Sequence, residues 1–268
     1  MVTGASDGVG HALAREFAAR GFNLVLHGRN HKKLSRVMSQ FQETFPHRSF
    51  RILIANATTI ACTTYLKAPP NVANPDLAPL DFEAIQRGPG DITLTVLVNN
   101  AGGGPVKPVC LSLKESPEIR ITENVSLNVL FLIHMTRALL PNLMRHAPSL
   151  VINISSMVDQ GFPLLASYSA SKSFIMTITR ALCLEMGIEG LGNNVEILGV
   201  RVGRVTGTSR CEEPASLFVP NAETIAEAQI GVFLLAMLPG RVRDNVIISV
   251  MRQERESLDG DIKTMKQS

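Results

Sequence analysis

Short apolar runs alternate along this chain with longer stretches of helical periodicity, and that alternation leaves few folds open. Phe22–His27, Phe50–Ile54, Leu94–Val98, Leu150–Ile154, Val195–Val200 and Val246–Val250 are rich in Val, Ile and Leu. Their apolar residues are largely consecutive rather than alternating, the pattern of strands covered on both faces. Between them His11–Arg20, Lys32–Thr44, Val125–Leu140, Ser169–Met186 and Thr224–Leu238 repeat their apolar residues at helical spacing. Repeated strand–helix–strand units imply a parallel sheet with right-handed crossovers. With 45% hydrophobic and 18% charged residues the chain can bury such a core. No second core or internal repeat is visible, so residues 1–268 read as one α/β domain, a doubly wound parallel sheet.

Three places break the rhythm. Residues 60–90 carry Pro69, Pro70, Pro75, Pro79 and Pro89, with Asp81–Arg87 as a short helix, and read as an irregular insertion. Thr206–Asn221 reads as a loop that closes over substrate, with Leu217 and Phe218 offering apolar contact. At the start, only Met1 and Val2 precede Thr3. A central strand needs about five residues, so the first strand is expected to be truncated.

The stretch Thr3-Gly4-Ala5-Ser6-Asp7-Gly8-Val9-Gly10 runs directly into an amphipathic helix, and the next strand follows at Phe22. Glycines there permit a tight turn and close approach of backbone to a pyrophosphate, while the helix N-terminus offers N–H groups and a positive dipole end. That context is what a dinucleotide-binding loop requires. The second strand ends His27-Gly28-Arg29-Asn30, without the carboxylate that would hold a ribose 2′-hydroxyl. Arg29 instead suits a 2′-phosphate, which favours NADP(H) over NAD(H).

Tyr168 and Lys172 stand four residues apart at the start of a helical pattern, and so lie on one helix face. A free tyrosine titrates near about 10; a neighbouring ammonium favours the phenolate and makes proton exchange with a carbonyl or alcohol oxygen feasible. Leu150–Ser156 is a strand running into two serines, and Asn99-Asn100-Ala101-Gly102 caps another. Ligands bind such sheets at the carboxyl ends of strands, where a serine hydroxyl can hold a substrate oxygen.

The glycine loop, the Asn-Asn-Ala-Gly segment, the serine and the Tyr-x-x-x-Lys pair resemble, in order and spacing, the short-chain dehydrogenase/reductase family over about residues 1–205. The resemblance implies a single Rossmann-type domain and an oxidoreductase moving hydride between a nicotinamide and a ketone/alcohol pair. It implies Tyr168 as general acid/base, Lys172 as the group supporting it and binding the nicotinamide ribose, and Ser156 as the substrate-oxygen ligand. Asn128 is similar to the helix asparagine that holds a proton-relay water. Gly4, Ser6, Asp7, Gly8, Val9, Gly10, Arg29, Asn100, Ala101, Gly102, Val202 and Gly203, with Tyr168 and Lys172, are the implied cofactor contacts. The family's serine-to-tyrosine spacing selects Ser155, but the strand end selects Ser156 with one loop residue deleted. The strand is the firmer anchor, because loops lose residues more readily than strand ends change register.

The first 35 residues are similar to the branch holding 17β-hydroxysteroid dehydrogenases and long-chain 3-oxoacyl-CoA reductases, which implies a lipid, steroid or acyl substrate. A homodimer or homotetramer paired through Val125–Leu140 and Ser169–Met186 follows by analogy. Departures from the family pattern fall on cofactor positions: Asn56 stands where relatives have aspartate, Val202-Gly203 where they have Pro-Gly, and the following threonine is displaced to Thr206 or Thr208. They leave open a second reading, a non-catalytic nucleotide-binding or inactive member. A sugar-nucleotide epimerase fits less well, having a different glycine spacing and a longer C-terminal substrate region.

Other classes are disfavoured. A net charge of +3, from 26 basic and 23 acidic residues, is too small and scattered for nucleic acid. Cys62, Cys110, Cys183 and Cys211 show no metal-ligand or disulfide spacing and read as reduced thiols. Val129–Leu140 and Ile230–Leu238 are shorter than the ~20 residues of a bilayer span, and the former contains His134 and Arg137. As it stands the sequence reads as cytoplasmic, with association to the endoplasmic reticulum membrane expected if an upstream anchor is missing.

Overall fold

The computed structural model describes residues 1–58, 60, 81–87, 92–104, 108–206, 214–216 and 219–236. Its strands are β1 (Leu24–Gly28), β2 (Phe50–Ile54), β3 (Val96–Asn99), β4 (Ser149–Ser156) and β5 (Val195–Val202). Its helices are α1 (Gly8–Ala19), α2 (His31–Thr44), α3 (Phe82–Arg87), α4 (Glu118–Val125), α5 (Phe131–Arg145), α6 (Ala166–Ile188) and α7 (Ala222–Ala236). The expected strand at Val246–Val250 lies outside the described residues, as do Cys62 and Cys211.

The strand pairs among the described residues are parallel. β1 runs beside β2 with Leu24 opposite Phe50; β4 lies between β3 and β5, with Val96 opposite Leu150 and Ser149 opposite Val195. Met1–Thr3 join these two groups. Val2 bridges both Leu26 and Val98, and its N–H donates to the Val25 carbonyl at 3.0 Å. The sheet order is therefore β2, β1, the short Met1–Thr3 segment, β3, β4, β5: the doubly wound arrangement, in one domain. Met1–Thr3 fill the central position between β1 and β3.

The consecutive apolar residues now have a physical reason. In β4, Leu150, Ile152 and Ile154 pack into a core with Leu13 and Phe17 of α1, Leu34 and Phe41 of α2 and Ile230 of α7. Val151 faces the opposite core, among Phe131, Met135 and Leu139 of α5. A strand covered on both sides must be apolar at successive positions. Phe17, Leu13, Leu97, Met135 and Ile152 are among the largest fully buried side chains, each worth about 1.5–3 kcal/mol of transfer free energy.

Helix starts follow local chemistry. Asn30 caps α2, its side chain accepting from the Lys33 N–H at 2.9 Å. Leu34, Val37 and Phe41 then recur at helical spacing on the buried face. Glu118–Arg145 is long and apolar enough to cross a membrane by composition alone, but its inner face packs on the sheet: Met135, Leu139 and Leu143 are buried.

Candidate active site

The glycine loop occupies the crevice between β1 and β3 at the strands' carboxyl ends. Gly4 sits at φ +68°, a conformation that disfavours any other residue. A Cβ at Gly4 would lie 3.0 Å from the Ala101 Cα, and one at Gly10 would overlap the Gly4 carbonyl and the Asn100 side chain. The loop is thus drawn tight against Asn100–Ala101. Thr3 supplies the tie: its Oγ1 accepts from the N–H groups of Asn100 and Ala101 at 2.9 and 2.8 Å, and donates to the Val98 carbonyl. Asn100 Nδ2 returns a bond to the Thr3 carbonyl at 3.0 Å.

Helix α1 starts at Gly8, whose N–H donates to the Asp7 carboxylate at 2.8 Å. The first-turn N–H groups therefore face the loop. A bare backbone cradle at a helix N-terminus, with no room for a Cβ at Gly10, fits a dinucleotide pyrophosphate. Ser6 lies beside the end of β1, its Oγ 3.4 Å from where a Gly28 Cβ would stand, and Arg29 beyond it is exposed.

A second cluster forms where β4, α6 and the α4–α5 helix meet. Between α4 and α5 the backbone makes one π-helical turn, Ser126–Leu130, and Asn128 lies in it, 1% exposed. Such turns widen a helix locally and are frequent at functional sites. Asn128 accepts from the Gly103 N–H at 3.0 Å and donates to the carbonyls of Asn124 and Gly103. A Cβ on Gly102 would be 2.8 Å from Asn128 Oδ1 and 3.2 Å from Lys172 Nζ, so glycine there allows the ammonium and the amide to approach. Lys172 Nζ donates to the Ile154 carbonyl at 3.0 Å and stands 5.7 Å from the Tyr168 ring centroid. Burial lowers the Lys172 pKa to about 8.

The two serines separate by environment. Ser155 is 3% exposed and donates to the Lys172 carbonyl at 2.8 Å, fastening β4 to α6. Ser156 ends the strand half-buried and caps a short 3-10 turn, with the Val158 N–H 3.5 Å from its Oγ. Next to it Asp159 is buried and ion-paired with Arg201 of β5, and accepts from Gln160. Val202 lies opposite Ser156 at the end of β5; a Cβ on Gly203 would stand 4.0 Å from the Met157 side chain. Asn56 folds into a local turn, its Oδ1 accepting from the N–H and the hydroxyl of Thr58.

Of the expected lid, Thr206 pairs with Asn221 and its N–H donates to the Pro220 carbonyl at 3.0 Å, so the two ends of the segment meet. Thr208, Leu217 and Phe218 lie outside the described residues, as does most of the 60–90 insertion. Thr3 and Asn99 stand inside the motifs read from the sequence, but their tying roles, and those of Asn153 and His27, were not read from residue types alone. Asn99 Nδ2 donates to both Thr136 and Asn153, and Asn153 donates to Thr179, a buried chain across β3, β4, α5 and α6. Polar residues inside otherwise apolar strands were the available signal.

Sheet, loop and polar cluster together define a Rossmann-type nucleotide-binding domain with a serine, a tyrosine, a lysine and an asparagine on the elements around its strand ends. The family model for short chain dehydrogenase matches residues 1–67 and 82–214, and the chain belongs to that family of oxidoreductases. It is 28% identical over 282 residues to a very-long-chain 3-oxoacyl-CoA reductase-like protein of Arabidopsis thaliana, covering 95% of this chain and 81% of that one. It is 30% identical over 193 residues to very-long-chain 3-oxoacyl-CoA reductase-A of Danio rerio, where 71% of this chain matches 54% of the relative. The chain thus matches about half the length of that zebrafish protein. A short-chain dehydrogenase from Sphingobium yanoikuyae, solved in complex with NADPH, shares the fold with a TM-score of 0.70 at 22% identity, over 97% of this chain and 94% of that one.

Proposed function

We propose that the protein is an NADP(H)-dependent oxidoreductase that interconverts a ketone and a secondary alcohol on an apolar, lipid-class substrate such as a 3-oxoacyl thioester or a steroid. The observation that carries this reading is the gathering of Lys172 Nζ, Asn128 Oδ1 and the Tyr168 ring around Gly102–Gly104. That cluster adjoins the tight glycine loop through Asn100 and Ala101.

A dinucleotide held with its pyrophosphate over Gly4–Gly10 would supply or accept the hydride. The chain's own residues handle the proton and the geometry. Tyr168 Oη delivers a proton to the developing alkoxide, or removes one from the alcohol, and the Lys172 ammonium beside its ring favours the phenolate left behind. With its pKa at about 8, Lys172 keeps its charge at neutral pH. Ser156 Oγ orients the substrate oxygen, and Asn128 holds Gly103 and a relay water in register. Arg29, exposed beyond Ser6, would hold the 2′-phosphate. Met157, Phe162 and Leu164, between Ser156 and Tyr168, are half-exposed or more, as is Val109; the Leu111 N–H donates to the Leu164 carbonyl, drawing the two loops together. Such an apolar rim suits a lipid substrate. On α6, Leu184 and Ile188 are 52% and 86% exposed, an apolar outer surface that supports a homodimer; light scattering at the dimer mass checks this, and a monomer at high concentration excludes it.

Tyr168→Phe removes only the hydroxyl. Turnover of NADPH with a 3-oxoacyl-CoA is expected to fall about 10²–10⁴-fold, while NADPH affinity by fluorescence titration stays within about twofold. Full turnover in this variant excludes the mechanism.

A further inference from the structure

His27, the penultimate residue of β1, is 2% exposed, and no part of the proton machinery uses it. Three of its groups grip the glycine loop and the segment before it. Its N–H donates to the Val2 carbonyl at 3.0 Å, its carbonyl accepts from the Ala5 N–H at 2.9 Å, and its ring Nδ1 accepts from the Gly4 N–H at 3.3 Å. The first is ordinary parallel-strand pairing, while the second comes from Ala5, one residue beyond the Gly4 N–H that a continued ladder would present. The third is a side-chain bond, because Gly4 has turned out of the strand at φ +68°. Its N–H no longer points along the ladder, and a side-chain acceptor takes it instead.

We propose that His27 is a positioning residue for the dinucleotide, its imidazole fixing Gly4 in the left-handed conformation that shapes the pyrophosphate cradle. The inference rests on the nucleotide-binding reading above and deepens it. Ring orientation is set by stacking on Phe131 of α5, with centroids 4.7 Å apart and planes 25° from parallel. Accepting at Nδ1 places the ring proton on Nε2, which faces the Ala55 backbone without a well-formed hydrogen bond among the described residues. A poorly paired buried donor is destabilising, and a phenyl ring stacked in the same place would avoid it. What histidine adds over phenylalanine is the acceptor facing Gly4. Burial also keeps the ring neutral: its pKa is lowered to about 4, the backbone of Ala55 acting in the other direction. Nδ1 therefore keeps its lone pair throughout the working pH range. Gly4 is the right place for such control, since its carbonyl abuts Gly10 and its Cα faces Ala101. A shift at Gly4 moves both walls of the cradle.

The test compares His27→Phe, which keeps ring and stack but has no acceptor, with His27→Asn, which keeps an acceptor oxygen but loses the stack. His27→Leu is a second acceptor-free variant should the phenylalanine fail to fold. NADPH affinity is read by fluorescence titration, stability by thermal melting without nucleotide, and kcat and KM for NADPH by steady-state kinetics. Loss of the acceptor is expected to weaken NADPH binding and raise its KM about tenfold, the size of one hydrogen bond, with kcat unchanged. His27→Phe loses the acceptor of the Gly4 N–H but also the poorly paired Nε2–H, so its melting temperature is expected to stay near the parent's, while His27→Asn melts lower yet binds NADPH within about threefold. Parental affinity in the acceptor-free variants, or affinity that follows melting temperature across the set, overturns the proposal and leaves the nucleotide reading intact. A parent protein that does not bind NADPH removes both.

Discussion

Lys172 is 4% exposed, and burial alone lowers its pKa from 10.5 to about 8. The folded value lies below the unfolded one. Between about pH 8 and 10.5 the unfolded chain therefore holds a proton that the folded protein has released, and stability rises with pH across that window; below it the penalty is constant. At 1.36 kcal/mol per pKa unit the buried ammonium costs about 3 kcal/mol at neutral pH. The charge is retained where the chemistry needs it and weakens the fold in doing so. Lys172→Met keeps the length of the stem and removes the charge. It is expected to raise stability at pH 7 by about 1–3 kcal/mol, to flatten the pH dependence above pH 8, and to lower turnover by about 10² or more. Urea unfolding near pH 7 and near pH 9 measures the first two. A less stable variant with the parental pH slope would mean that the bond from Nζ to the Ile154 carbonyl outweighs desolvation.

At the scale of elements, strand positions could be read closely and helix boundaries less so. Phe50–Ile54 is a strand over the residues expected, although of its five residues only Phe50 is buried and Arg51 and Ile54 are exposed: its β-branched and apolar run sufficed without burial on both faces. The expected helix Val125–Leu140 instead begins at Glu118 and contains a π turn over Ser126–Leu130. Apolar periodicity cannot show one extra residue in a turn, because the next turn resumes the same face. What fixes that turn is tertiary: Asn128 must reach both the N–H and the carbonyl of Gly103. Asn128→Leu leaves those groups and the Asn124 carbonyl without their partner and is expected to cost about 2–4 kcal/mol. Asn128→Asp keeps the acceptor for the Gly103 N–H but turns a second oxygen toward two carbonyls. It should recover part of the stability and little of the activity, since it no longer donates. Guanidinium melts of both variants beside turnover measure this, and equal stability of the two would show that the Gly103 N–H bond contributes nothing.

Over the whole molecule, residues that act within one segment were readable from spacing, and those that act between segments were readable only where the family resemblance named them, as with Asn128. The glycine loop and the Tyr168–Lys172 pair announce themselves by spacing within a few residues. Thr3 joins residues separated by 97 and 98 positions, and Asn99 reaches Asn153 across 54; no local pattern encodes such pairings. The Asn99–Asn153 pair sits on the sheet face that carries α5 and α6, tied to Thr136 on one helix and Thr179 on the other. Thr136 and Thr179 also donate to their own helix carbonyls at Leu132 and Ile175, so each hydroxyl is committed in both directions. This buried chain fixes how the two helices sit on the sheet, and with them Asn128 and Lys172. Each single change, Asn99→Val or Asn153→Val, leaves a buried amide partner unsatisfied and is expected to cost about 2–3 kcal/mol. The double variant removes both amides together, so its cost should fall short of the sum by about 1 kcal/mol or more. Chemical denaturation of the four proteins gives that coupling directly. Strict additivity would show the two asparagines to be independent and leave side-chain packing alone to hold α5 and α6 in register.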